Sequence, residues 1–77
     1  MQISASILSN MLVKLQNRYF GGFFSSKELT TILKSQCGRQ ANRILEEFEN
    51  HGVIEFINSR KCRFACTPTE ENIKNLI

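Results

Sequence analysis

Seventy-seven residues with ten Lys and Arg, seven carboxylates and a formal charge of +3 make one small domain over 1–77, near the size at which a single core supplies only a few kcal/mol of stability. Three cysteines, an odd number without CxxC spacing, argue against a disulfide framework and for free thiols in a reducing compartment. No apolar run approaches the roughly 20 residues that cross a bilayer, and the start Met1-Gln2-Ile3-Ser4-Ala5 lacks the basic opening of a signal peptide, so a soluble, cytoplasmic protein with no membrane role is expected.

Ile7, Leu8, Met11, Leu12, Leu15 and Tyr19 recur at helical spacing and predict helix one over about 4–19, with Ser4 or Ser6 as its cap. Gly21-Gly22 ends it. Phe23-Phe24 then reads as an extended pair too short to stand alone, which needs a partner strand elsewhere. Ser25-Ser26-Lys27-Glu28 has capping-box spacing, in which the serine accepts from the third amide and the glutamate reaches back to the cap amide. Helix two is therefore predicted over about 26–34, with Leu29, Ile32 and Leu33 as its apolar face; it ends in the polar stretch 34–38, whose glycine can turn the chain sharply, and a turn of about four residues leads on to the next helix.

Over about 39–51, Ala41, Ile44, Leu45 and Phe48 recur at i, i+3, i+4 and i+7 and fill an arc of about 100° on one face of helix three. Arg39 and Arg43 project from the other side beside Gln40 and Asn42, and Gly52 supplies the left-handed residue that closes the helix. Residues 53–57 and 62–66 are apolar-rich runs joined by Asn58-Ser59-Arg60-Lys61, a hairpin over about 53–66 with a basic, exposed tip. Thr67-Pro68-Thr69-Glu70 has a second capping-box spacing with Pro at the first helical position. It opens a short C-terminal helix over about 68–76 with Ile73, Leu76 and Ile77 on one side.

The charges are segregated along the chain. Every carboxylate lies outside 29–45 and outside 56–69, the segments that carry Lys34, Arg39 and Arg43, and then Arg60, Lys61 and Arg63. A short helix, a tight turn and a third helix with basic and amide side chains at its start is helix-turn-helix spacing. The whole order, helix, short strand, helix, turn, helix, hairpin, resembles the winged helix-turn-helix superfamily. Asn42-Arg43-Ile44-Leu45 through Phe48, then Gly52-Val53-Ile54, look like the end of helix three entering the wing in small bacterial, archaeal and viral transcription regulators. The Asn-Arg-x-Leu spacing is also similar to that of Z-form DNA-binding winged helices. Those continue with a tyrosine and carry prolines and a tryptophan in the wing, where this chain has Glu46 and neither.

The resemblance implies an α+β fold, a three-helix core with a β-hairpin wing and a short C-terminal helix, that binds double-stranded DNA sequence-specifically to regulate transcription. Helix three would enter the major groove, with Arg39, Gln40, Asn42 and Arg43 on bases and phosphates. Ser35 and Gln36 in the turn, Ser26 and Lys27 at the start of helix two, and Arg60, Lys61 and Arg63 in the wing would hold phosphates. The competing reading is a winged-helix protein-interaction adaptor, or a non-specific architectural DNA-binding protein, because fold alone does not decide function and +3 is a modest charge. Whether the Arg39/Arg43 face and the Arg60-Lys61 tip form one continuous basic surface bears on that choice.

Cys37, His51, Cys62 and Cys66 offer four zinc-ligand types, but Cys62 and Cys66 at i, i+4 on one strand face stand roughly 13 Å apart, too far for one tetrahedral metal, so buried thiols and no metal are expected. One His, no carboxylate pair in a recognisable context and no phosphate-cradling glycine loop leave no nucleophile and base to assign, so neither an enzyme nor a cofactor or small-molecule ligand is expected. Surplus apolar surface on so small a chain leaves room for a homodimer through helix one, using Val13 or Phe20, or through the C-terminal helix.

Overall fold

The computed structural model describes residues 3–77, and its elements follow from where each apolar stripe finds a partner. Helix α1 (Ala5–Arg18) begins behind Ser4, whose Oγ accepts from the Ile7 amide at 3.2 Å. Leu8, Leu12 and Leu15 are buried, and Ser9 among them donates its hydroxyl to the Pro68 carbonyl at 2.8 Å, tying α1 to the C-terminal segment. Ile7, expected in the stripe, is 53% exposed, so the buried arc is narrower than the periodicity predicts. The helix closes by a Schellman pattern, in which the Phe20 amide donates to the Asn17 carbonyl and the Gly21 amide to that of Gln16.

Strand β1 (Phe24–Ser25) leads directly into α2 (Ser26–Cys37), whose cap Ser25 accepts from the Lys27 amide at 3.3 Å. Neither half of the expected capping box forms, since Ser25 serves the second helical amide and not the third. The Glu28 carboxylate instead accepts from the Tyr19 hydroxyl at 2.6 Å and from the Arg18 guanidinium at 3.3 Å, stronger partners than a backbone amide. Helix α2 also runs three residues past its predicted end at 34. Cys37 is 2% exposed and continues the Leu29, Leu33 row by one more turn, so burying a small apolar thiol extends the helix through a polar stretch.

The chain then reverses at Gly38, with φ +56°, into a 3-10 turn (Gly38–Gln40) that runs straight into α3 (Ala41–Asn50). The connection is thus tighter than the four-residue turn expected, and the 39–51 helix is α-helical only from Ala41. Ala41, Ile44 and Phe48 are buried and Leu45 half-buried, as the spacing predicts. Gly52, with φ +72°, closes α3, and the Val53 amide donates to the Phe48 carbonyl at 2.8 Å.

Strands β2 (Ile54–Asn58) and β3 (Lys61–Phe64) form the antiparallel hairpin, and β1 pairs with β3, giving a three-stranded sheet in the order β1-β3-β2. The partner that Phe24 needed is Cys62. A bulge at Ile57 shortens the hairpin. Asn58 Oδ1 accepts from the Arg60 and Lys61 amides at 2.8 and 3.0 Å and so shapes the tip.

The C-terminal helix α4 (Glu70–Ile73) is one turn, shorter than the 68–76 expected. Thr69, not Thr67, is its cap, accepting from the Asn72 amide at 3.2 Å, and Pro68 lies buried before the helix rather than at its first position. Ile73 enters the core, and Leu76 and Ile77 pack against it. The fold is α+β: three longer helices and one antiparallel sheet share a core in which Phe24 stacks between Tyr19 and Phe64, with ring centroids 5.8 and 5.5 Å away. Among the described residues no helix is long and apolar enough to cross a membrane.

Candidate nucleic-acid interface

The start of α2 and the tip of the hairpin meet. The Ser26 amide donates to the Arg60 carbonyl at 2.8 Å and its hydroxyl to the Ser59 carbonyl at 3.2 Å, so two segments 33 residues apart are clamped together. Ser25, Ser26, Lys27 and Arg60 line one shallow concavity, and Lys61 lies opposite Ser25 across the β1–β3 ladder. Lys27, Arg60 and Lys61 are exposed, and among the described residues none has a carboxylate within ion-pair distance. The tip is exposed, as expected, and held against α2. The clamp corrects one expectation, since Ser26 has spent its N–H and O–H inside the fold, leaving no donor for a phosphate.

Arg63, expected to hold a phosphate, is exposed but engaged across the sheet. Its Nε bonds the Glu55 carboxylate of its cross-strand partner, and its guanidinium lies 5.3 Å from the centre of the Phe23 ring. Both contacts compete with an external anion.

At the other end of α2, Arg39, Gln40, Asn42 and Arg43 are exposed. Arg43 Nε donates to Gln40 Oε1 at 2.8 Å, which fixes the guanidinium and occupies the acceptor of the Gln40 amide. Ser35 and Gln36 lie in the last turn of α2, not in the connecting turn. Ser35 is exposed, Gln36 half-buried, and the Gln36 amide donates to Ser35 Oγ at 3.3 Å. Lys27, Arg60 and Lys61 thus gather at the start of α2, and Arg39 and Arg43 follow its end, about 17 Å away along the helix at 1.5 Å per residue.

Helix α3 runs against its own dipole. Arg43 sits in its first turn with Arg39 just before, while Glu46, Glu47 and Glu49 follow toward the C-terminal end. Cations near the positive end and carboxylates near the negative end each cost a few tenths to about 1 kcal/mol relative to the reverse order. Among the described residues, Glu47 is the one carboxylate of these with an ion-pair contact, to His51 Nε2 at 3.3 Å.

The chain matches no protein-family model, no curated protein and no solved structure. The charge map is thus the main guide to the site. The end formed by the α1 terminus, β1, the α2 start and the hairpin carries Arg18, Lys27, Arg60, Lys61 and Arg63 against Glu28 and Glu55. The other five cations are matched by the other five carboxylates, so the whole net charge of +3 resides at this end. Sequence reading did not single out Arg18, which the fold brings to this end but pairs with Glu28.

The thiols take no part in either cluster. Cys37 and Cys62 are buried and Cys66 exposed, and β3 ends before Cys66, so the expected shared strand face for Cys62 and Cys66 is absent. Burial pushes the Cys37 thiol up against a smaller lowering by Arg43, and pushes the Cys62 thiol up to about 11.

Proposed function

We propose that this protein is a winged helix-turn-helix domain that binds double-stranded DNA and regulates transcription. Helix α3 enters the major groove, and the hairpin serves as a short wing on the phosphate backbone. The observation that carries the reading is the convergence of Lys27 and Arg60 in one concavity, with Lys61 beside them and no carboxylate partner among the described residues. Unpaired cations held together repel each other, and neutralising phosphates with release of condensed counterions reverses that cost. A further feature supports it. The inverted charge order of α3 weakens the isolated helix and favours an anionic partner at its first turn.

In this assignment Arg39, Asn42 and Arg43 read base edges, with Gln40 orienting Arg43. Lys27, Arg60 and Lys61 hold phosphates. Glu46, Glu47 and Glu49 lie where a helix docked by its first half leaves the groove. A gel-shift against random duplex pools at two salt concentrations tests the proposal. Binding at low salt with an enriched sequence supports it, binding without enrichment reduces it to architectural DNA binding, and no binding rejects it. The three α3 carboxylates favour the protein-adaptor reading as the alternative in that last case.

A further inference from the structure

Phe20 is the largest apolar side chain given over to solvent, at 96% exposed, and it holds a left-handed backbone with φ +55°. It occupies the C′ position of the Schellman closure of α1, where glycine is the favoured residue because any Cβ there is strained. Two glycines follow immediately, at 21 and 22, so a glycine cap is one residue away in sequence and unused at this position. The phenyl ring recovers nothing from packing for this arrangement. Folding the monomer does not account for it, but a contact outside the monomer does.

The surroundings indicate which kind. Tyr19, the preceding residue, reaches Glu28 at the α2 start, and Phe23, three residues on, lies under the Arg63 guanidinium. Phe20 therefore belongs to the segment that joins α1 to β1, at the end of the molecule that carries Arg18, Lys27, Arg60, Lys61 and Arg63 against Glu28 and Glu55. An exposed aromatic ring at a net-positive end suits a polyanion that also offers π-faces, which is nucleic acid.

We infer that Phe20 is an aromatic wedge that stacks against or between bases of the bound duplex while the cations of this end hold the backbone. The inference rests on the DNA-binding reading above and adds to it an unstacking role outside α3 and the hairpin tip. Apolar wedges of this kind act most readily at pyrimidine–purine steps, whose stacking is weakest.

The test uses the full chain and a 24-base-pair duplex with a central TA step carrying 2-aminopurine, whose emission rises when it is unstacked. Wild-type protein and Phe20→Trp are expected to raise the emission on binding. Phe20→Gly is expected to bind about tenfold more weakly, leave the emission unchanged, and keep or raise the thermal midpoint, since glycine suits the cap. Equal affinity and emission for Phe20→Gly would overturn the wedge and leave the DNA-binding reading standing. A lowered midpoint would instead make the ring part of the fold. Loss of a wild-type dimer in sedimentation on the same substitution would make its partner a second copy of this chain. Failure of the wild-type protein to bind any duplex overturns the DNA-binding reading and the wedge together.

Discussion

Phe48 has none of its surface exposed and sits where α3 meets the rest of the core. Phe48→Ala removes the largest buried side chain of that helix and is expected to cost about 3 to 5 kcal/mol, enough to unfold a domain of this size. Urea denaturation checks it, and a variant with a wild-type midpoint would mean that the α3 register is wrong. The core residues of α3 were readable because one helical period places Ala41, Ile44 and Phe48 on one arc. The thiols were less so. Cys37 lies in a polar stretch yet is buried, and Cys66 ends an apolar-rich run yet is exposed. Their ionisation gives a pH test. With the Cys62 thiol raised by burial from 9.0 to about 11, the native state holds its proton more tightly than the unfolded chain. That contribution is complete below pH 9 and is lost as pH climbs toward 11. Cys37 shifts the same way, as does Tyr19, chiefly through its hydrogen bond to Glu28. Stability followed by urea midpoint should be flat from neutral pH to about 9 and fall above it, and a fall beginning on the acid side of 9 would contradict this assignment.

At the scale of elements, the hairpin tip depends on one side chain. Asn58 Oδ1 satisfies the Arg60 and Lys61 amides together, so Asn58→Ala is expected to cost about 1 to 2 kcal/mol and to speed hydrogen exchange at those two amides. Unchanged exchange there would show that the turn holds its shape without the asparagine. Hairpin, strand pair and helix order were legible from alternation, Gly52 and the Asn-Ser turn signal. What escaped local reading depended on partners far along the chain. The Glu28 carboxylate left its capping role for Tyr19 and Arg18, Arg63 was claimed by Glu55 and Phe23, and Ser26 was consumed by the clamp to residues 59 and 60. Helix ends failed for a related reason, since Cys37 is helical because it has a place in the core and not because of its propensity.

For the whole molecule, the separation of the basic groups into two clusters predicts two kinds of mutant. Arg43→Ala and Asn42→Ala should each weaken a preferred site by about 1 to 3 kcal/mol and leave binding to unrelated DNA nearly unchanged. Competition binding against matched and unmatched duplexes measures this, and uniform weakening would move base reading away from α3. The hairpin-end cations should behave in the opposite way, affecting all duplexes alike. The most direct measurement is therefore the salt dependence of binding to a random duplex, for wild-type protein and for the Lys27→Ala, Arg60→Ala double variant. Because each phosphate contact contributes about 0.9 to the slope of log affinity against log salt, the double variant should show a slope about 1.8 shallower with its sequence preference intact. An unchanged slope, or no binding by the wild-type protein at low salt, would contradict the placement of the phosphate backbone against the α2 start and the hairpin tip.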